Sequence, residues 1–170
     1  MNKISMMDIT LKKLAAEREV ALLFREKTAV AACADALGAD AVELAPMKNL
    51  REDTIIYKTI AQNIQNAAVA IPVGFTAQEV DTAWECVKDA KHPRLQVEVP
   101  VSTVQMEYTH HIKADKMIAK IGELTKAAKA LCDDVEFCAL DATRADEDFL
   151  LAAAKEAEAN GAEMITICDD

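Results

Sequence analysis

The sequence predicts an α/β fold in which parallel strands form an incomplete TIM-type (β/α) barrel, limited to its six N-terminal βα units. Short apolar runs alternate with longer amphipathic segments along the 170 residues. The runs begin about 26 to 40 residues apart, a spacing that suits one strand and one helix per unit. Strict alternation of strands and helices favours a parallel sheet with right-handed crossovers. We expect a single partial barrel domain over residues 1–170.

The six strands are predicted where these apolar runs occur, at residues 4–9, 41–45, 69–75, 95–101, 135–140 and 164–168. Five helices lie between them. The first covers about residues 17–37 and stops at Gly38, and the second covers about residues 53–67. The third opens with Thr76 and Glu79 at the spacing of a capping box. The fourth covers about residues 114–132, and the fifth begins near Asp146 and ends at Gly161.

The fourth strand favours a barrel over an open doubly wound sheet. One face of residues 95–99 is apolar, whereas the other carries Gln96 and Glu98. A central strand of an open parallel sheet is usually apolar on both faces, but a barrel strand can place polar groups in the lumen. The glycine-rich phosphate motifs of doubly wound folds are also absent.

Six strands leave two open edges in a fold that needs eight strands for closure. Three completions are compatible with the sequence. The chain is a piece of a longer protein, a second chain supplies the missing strands, or the first and last strands pair in a swapped or symmetric dimer. We expect a homo-oligomer.

Composition excludes several classes of partner. The formal net charge of −10 repels phosphates, so nucleic acid is not an expected partner. No apolar run approaches the roughly 20 residues that a membrane span requires, so a membrane is not expected either. The number of cysteines is odd and no pair forms C-x-x-C. We therefore expect the cysteines to be small buried residues without disulfides, in a protein of the reducing cytoplasm. They are Cys33, Cys86, Cys132, Cys138 and Cys168.

Polar side chains follow several of the predicted strands, at the strand ends where barrels of this kind place their reactive groups. Two adjacent amines, Lys12 and Lys13, follow the first strand. Glu43 lies in the second strand, Ser102 follows the fourth, and Asp170 follows the sixth. The chain contains no H-x-H, no H-E-x-x-H and no nucleophile elbow.

Residues 135–146 read V-E-F-C-A-L-D-A-T-R-A-D and resemble the V-E-F-S-x-E-D-A-x-R-x-D run of the 2-isopropylmalate and homocitrate synthases. Those enzymes share their barrel with hydroxymethylglutaryl-CoA lyase. Arg94 and Ser102 are similar to the fourth strand of that barrel and its loop, and Gly38 with Glu43 is similar to its second strand. The resemblance covers nearly the whole chain.

The resemblance implies a transferase of amino-acid biosynthesis that condenses acetyl-CoA with a 2-oxo acid. In that family a divalent metal polarises the oxo acid, a base removes a methyl proton from acetyl-CoA, and the enolate attacks the keto carbon. A strand-one motif, D-T-T-L-R-D-G-E-Q, supplies the arginine and a metal-binding aspartate. The matching stretch here, beginning at Asp8, reads D-I-T-L-K-K-L-A-A.

Several family residues are replaced. The arginine has become Lys12, which loses the bidentate fork, and the aspartate has become Lys13. The family's strand-five glutamate falls at Leu140, its histidine after strand four at Gln105, and its strand-six threonine at Asp170. The H-x-H pair belongs to a seventh strand. We therefore expect no metal ligand and no certain cofactor in this chain, and condensation that is impaired or incomplete.

These comparisons make Lys12 and Lys13 the candidate catalytic residues, and Glu43, Ser102 and Asp170 the candidate substrate-binding residues. Lys13 either takes the place of the metal and binds a carboxylate or keto oxygen, or belongs to a solvated pair. A Schiff-base lysine is the further alternative. We interpret His110-His111 as a solvated loop pair, and Asp141 with Arg144 as an ion pair that orders a loop.

Three functions follow from these alternatives. The chain is one part of a working acyltransferase that strands seven and eight complete, or a catalytically degenerate barrel that serves binding or regulation. It is otherwise a lysine-dependent aldolase on the same scaffold.

Overall fold

The computed structural model describes residues 4–17 and 21–169. The strands in these ranges are β1 (Met7–Asp8), β2 (Ala41–Glu43), β3 (Ala68–Pro72), β4 (Pro93–Pro100), β5 (Val135–Leu140) and β6 (Met164–Ile167). The helices are α1 (Thr10–Ala16), α2 (Phe24–Leu37), α3 (Leu50–Asn63), α4 (Ala77–Val87), α5 (Ala114–Lys129) and α6 (Glu147–Ala159). A π-helical turn covers Val104–Thr109, and a 3₁₀ turn covers Ala142–Arg144.

The described strands form one sheet in the order β1-β2-β3-β4-β5-β6. Pairing is parallel, with Met7 opposite Ala41 at β1–β2 and Gln96 opposite Glu136 at β4–β5. Each strand lies beside its neighbours in sequence, whereas strand order reverses at a switch point in doubly wound sheets. The predicted incomplete (β/α) barrel is therefore confirmed.

The chain divides into two compact units, the first comprising residues up to Pro72 with Asp81–Arg94, and the second comprising Val73–Val80 with residues from Leu95 onward. In the first unit the predicted stripe of Ile56, Ile60 and Ile64 on α3 is buried. In the second unit Leu95, Val97 and Val99 on β4 are fully buried. The single-domain assignment over residues 1–170 stays a prediction.

The other face of β4 carries the polar side chains that the sequence analysis used to favour a barrel. Gln96 is 1% exposed, and its amide Nε2 donates to Glu136 on β5 at 3.2 Å. Thr166 on β6 donates to the other carboxylate oxygen of Glu136 at 2.5 Å. Buried polar groups need such partners, since an unpaired one costs free energy.

The structure differs from the predicted elements at the N-terminal end. The predicted strand at residues 4–9 is shortened to Met7–Asp8, because Ile9 leaves the extended conformation at φ −106° and ψ 12° and precedes α1. The helix predicted from residue 17 begins at Phe24 instead. Residues 18–20 of that prediction lie outside the described residues.

One further expectation is corrected. Cys86, Cys132 and Cys138 are buried as expected, but Cys33 is exposed on α2 and Cys168 is only partly buried, so the expectation of burial was wrong for these two. At the start of α4 the Thr76 hydroxyl accepts from the Glu79 amide at 3.3 Å, and it donates to the Glu79 carboxylate at 2.7 Å.

Across the ranges that the structure covers, none of the helices has the length and apolarity that a bilayer crossing requires.

Candidate functional site

The end of β1 in the first unit is shaped by Asp8. Its carboxylate accepts from the Thr10 amide at 3.1 Å and from the Thr10 hydroxyl at 3.0 Å. These bonds satisfy a donor at the first helical residue, as the side chain of a capping residue does. The chain therefore enters α1 directly after the strand, which places Lys12 and Lys13 in the first turn and a half of this helix.

Lys12 and Glu43 form an ion pair within the first unit. The Lys12 ammonium nitrogen lies 2.8 Å from the Glu43 carboxylate, and the two side chains are 27% and 6% exposed. Lys13 is exposed to solvent. The structure thus brings two of the candidate residues together, the catalytic candidate Lys12 and the substrate-binding candidate Glu43.

A cavity of about 310 Å³ lies in the first unit between α1, the end of β2 and α3. Part of its polar lining makes contacts within the protein. Asp53 accepts from the backbone amides of Lys48 and Asn49, each at 2.8 Å, and the buried Tyr57 hydroxyl donates to the Ala45 carbonyl at 2.9 Å. Burial raises the pKa of Tyr57. These groups hold the loop after β2 on α3.

In the second unit, Ser102 and Asp141 link the loops that follow β4 and β5. Both residues are fully buried. The Ser102 hydroxyl donates to the Asp141 carboxylate and accepts from the Gln105 amide at 3.2 Å. Ser102 thereby holds the start of the π-helical turn, in which the Met106 amide also donates to the Ser102 carbonyl at 2.9 Å.

Asp141 also forms a bidentate pair with Arg144. The guanidinium Nε and Nη2 donate to the two carboxylate oxygens of Asp141, each at 2.6 Å. The hydrogen bonds from Arg144 and Ser102 lower the pKa of Asp141. Asp141 has a left-handed backbone at φ 56°, which is uncommon for a residue other than glycine. The predicted Asp141–Arg144 ion pair is confirmed.

The remaining loop candidates of the second unit make local contacts. The His110 ring stacks on Phe75 with 5.1 Å between centroids and 15° between planes. His111 is exposed, with its Nδ1 3.1 Å from the Glu107 carbonyl oxygen. Thr143 donates to Asp169 at 2.8 Å. The substrate-binding candidate Asp170 lies outside the described residues.

The donor set at these strand ends does not fit a divalent cation. Within residues 4–17 and 21–169, no group of three or more His, Cys, Asp or Glu side chains has the arrangement of a metal site. At the end of β1 the Asp8 carboxylate accepts from the Thr10 amide and hydroxyl, the amines of Lys12 and Lys13 follow it, and the nearby carboxylate of Glu43 binds Lys12. Hard divalent cations need several oxygen ligands, which this arrangement lacks.

Sequence reasoning did not find the buried Gln96–Glu136–Thr166 network or the coupling of Ser102 to Asp141. The sequence held a signal for the second, because Ser102 and Asp141 directly follow the predicted strands at residues 95–101 and 135–140. The two strands pair in the structure with Pro100 opposite Leu140, which brings the two side chains together.

Three comparisons place the chain among known proteins. The profile of the HMGL-like family matches residues 3–170. A 2-isopropylmalate synthase of Pelotomaculum thermopropionicum is 32% identical over 170 residues, and the match covers 98% of this chain and 33% of the relative. For the 2-isopropylmalate synthase of Carboxydothermus hydrogenoformans, the values are 30% identity over 169 residues, 99% and 33%. The chain spans about a third of the length of these curated relatives.

A solved structure agrees at the level of the fold alone. A protein from Sorangium cellulosum, assigned to the mandelate racemase/muconate lactonizing enzymes, superposes with a TM-score of 0.54 and 14% identity. The match covers 96% of this chain and 46% of that one. The sequence match over nearly the full chain is what settles the assignment: this chain belongs to the HMGL-like family.

Proposed function

We propose that this chain supplies the first six βα units of an acyltransferase barrel of the 2-isopropylmalate synthase type. The substrates are acetyl-CoA and a 2-oxo acid, which the enzyme condenses in amino-acid biosynthesis in the cytoplasm. The similarity to 2-isopropylmalate synthases over 98–99% of the chain supports this reaction class. The parallel, sequential order of β1 to β6 supports the placement of these units in a barrel.

We further propose that turnover by this chain alone is weak or absent. The observation that carries this part is the Lys12–Glu43 ion pair at the end of β1 and β2. An ammonium at position 12 retains a positive charge that can stabilise a developing alkoxide, but it lacks the two-pronged geometry of a guanidinium. Lys13 adds a second cation where a divalent ion would need an anionic ligand.

Catalysis then depends on groups outside the described residues, supplied by further strands or by a second chain. The exposed apolar side chains of β6 support such a completion. Met164 is 36% exposed, Ile165 37% and Ile167 56%, in a strand that pairs with β5. Lys12, Lys13, Glu43 and Ser102 stay predictions as site residues.

The test is turnover of acetyl-CoA with a panel of 2-oxo acids, with and without added Mg²⁺, Mn²⁺ or Zn²⁺. Product should be detected by mass spectrometry, because the exposed thiol of Cys33 interferes with thiol reagents. We expect no condensation above background from this chain alone. A double variant, Lys12→Arg with Lys13→Asp, restores the family motif and tests whether strand one limits the reaction. Metal-dependent condensation by the unaltered chain would contradict the proposed weak or absent turnover, while it would support the reaction class.

A second candidate function is binding or regulation by a barrel that has lost catalysis. The same ion pair favours it, because Lys12 and Glu43 bind each other at the strand ends. Calorimetric titration with coenzyme A and with pyruvate separates the two candidates. Ligand binding without turnover, once strands seven and eight are supplied, indicates a binding function. Turnover under the same condition indicates the acyltransferase.

A further inference from the structure

Arg144 carries a guanidinium that is held in a fixed orientation yet remains accessible. Its Nε and Nη2 each donate one hydrogen bond to Asp141 at 2.6 Å. A guanidinium has five N–H donors in a planar fork, so these two bonds leave three. The Arg144 side chain is 57% exposed, whereas Asp141 is fully buried. One edge of the guanidinium therefore faces the protein, and the other edge has access to solvent.

The contacts that hold the Arg144 side chain differ from those of an ordinary surface ion pair. Asp141 is buried, it accepts the Ser102 hydroxyl, and Ser102 in turn accepts the Gln105 amide. The left-handed backbone of Asp141 at φ 56° costs conformational free energy, which a fold retains only where surrounding contacts determine it. A long exposed arginine normally loses rotamer freedom on binding a ligand. Here that freedom is already restricted by two side-chain hydrogen bonds.

Arg144 also lies where a side chain that binds a ligand is expected. Asp141 directly follows β5, so the pair lies at the C-terminal end of a parallel strand, where barrels of this class bind their substrates. The hydroxyl of Thr143, the residue before Arg144, donates to the Asp169 carboxylate at 2.8 Å, so this acid is hydrogen-bonded within the protein.

We propose that the outward edge of Arg144 binds a planar oxyanion, and that this oxyanion is the carboxylate of the 2-oxo acid. The choice of acid rests on the proposed acyltransferase function, whereas the oxyanion site rests on the geometry of Arg144. A guanidinium binds a carboxylate through two parallel N–H···O bonds, and a lysine ammonium cannot reproduce this geometry. Asp141 and Ser102 are positioning residues for the guanidinium.

The test is calorimetric titration of the 170-residue chain with pyruvate, and separately with inorganic phosphate, at constant ionic strength. We expect Arg144→Lys to weaken pyruvate binding by about tenfold or more, since charge is kept and the fork is lost. Arg51→Lys is the matched control, because Arg51 is an exposed arginine of α3 in the first unit. Affinity should be unchanged in this control. Thermal melts of both variants establish that they fold.

An NMR titration of the unaltered chain provides a readout that a purely structural ion pair would not move. The Nε–H signal of Arg144 should shift with added pyruvate, and the signal of Arg51 should not. Equal pyruvate affinity in the unaltered chain and in Arg144→Lys overturns the proposal, while the acyltransferase assignment is tested separately by turnover once strands seven and eight are supplied. Binding of phosphate but not pyruvate, lost in Arg144→Lys, overturns the choice of acid. If the unaltered chain binds neither pyruvate nor phosphate, the proposal of an oxyanion site at Arg144 is wrong.

Discussion

At the scale of single residues, the contrast between two ion pairs shows how burial sets the importance of a contact. Lys12–Glu43 and Lys88–Glu85 have nearly equal N···O distances, 2.8 and 2.7 Å. The Glu43 side chain is 6% exposed, whereas the Glu85 side chain is 52% exposed. Water screens the second pair but has little access to the first.

Glu43→Gln should therefore destabilise the fold by about 1–3 kcal/mol, because it leaves the Lys12 ammonium beside a neutral amide in a partly buried site. Glu85→Gln should leave stability unchanged within error. Urea denaturation followed by circular dichroism measures both. Equal stability of the two variants would show that the Lys12–Glu43 pair has no structural role, and would strengthen the case for Lys12 as a ligand-binding group.

Asp35 determines part of the response to acid. Partial burial raises the pKa of its carboxyl, but amide donors from Ala67, Gln65 and Asn66 outweigh this, so the pKa is lowered below 3.8. A lowered folded-state pKa contributes stability that is fully present above the unfolded pKa and is lost as pH falls through the folded one. We expect the thermal unfolding midpoint of the unaltered chain to decrease as the pH drops below about 4. In Asp35→Asn this midpoint should depend less on pH in the same range. Asp89→Asn, at an exposed position of the same unit, should keep the acid response of the unaltered chain.

At the scale of elements, the end of α2 depends on one residue. Gly38 has φ +88°, its amide donates to the Asp35 carbonyl at 3.1 Å, and Ala39 donates to the Ala34 carbonyl at 3.1 Å. This is a left-handed helix end that satisfies the last carbonyl groups of the helix. A Cβ added at Gly38 meets no atom within 4 Å, so only the backbone conformation opposes substitution.

Gly38→Ala should consequently cost about 1–2 kcal/mol, the penalty for an L-residue in the left-handed region. Gly38→Asn should cost less, because asparagine tolerates this conformation better than alanine. Thermal or urea unfolding of the two variants measures the difference. Equal losses would indicate that the helix end tolerates the two side chains alike, contrary to the backbone argument.

Elements with strong local signals were predictable from sequence, and those set by tertiary context were not. Strand β5 matches its prediction at residues 135–140, because its apolar run is bounded by polar residues on both sides. Helix α1 has no such signal, since its seven residues lack a strong capping side chain at Ile9. The π-helical turn depends on the buried Ser102, whose partner Asp141 is 39 residues away. The resemblance identified the family, but the ion pair of Lys12 required the structure.

At the scale of the whole molecule, β6 marks one edge of the described sheet and carries apolar side chains that are partly exposed. An unpaired parallel edge with such side chains favours association with another strand. In the homo-oligomer that the sequence analysis predicts, a second copy would supply the partner of this edge. Ile167, at 56% exposure, lies at the end of β6.

Ile167→Lys should shift the chain toward the monomer, because a charged side chain on an edge strand opposes pairing. Leu151→Lys on α6 is the matched control, since Leu151 is 53% exposed but lies on a helix. Sedimentation velocity over a concentration series measures the change. If Leu151→Lys reduces association and Ile167→Lys does not, the interface lies on the helical side rather than at the strand edge.

The sequential order of the strands also bears on how the protein is made. Among the described strands, each one after β1 pairs with the strand synthesised immediately before it, so pairing within β1 to β6 does not depend on contacts distant in sequence. Synthesis and sheet growth can thus proceed in the same direction, one βα unit at a time.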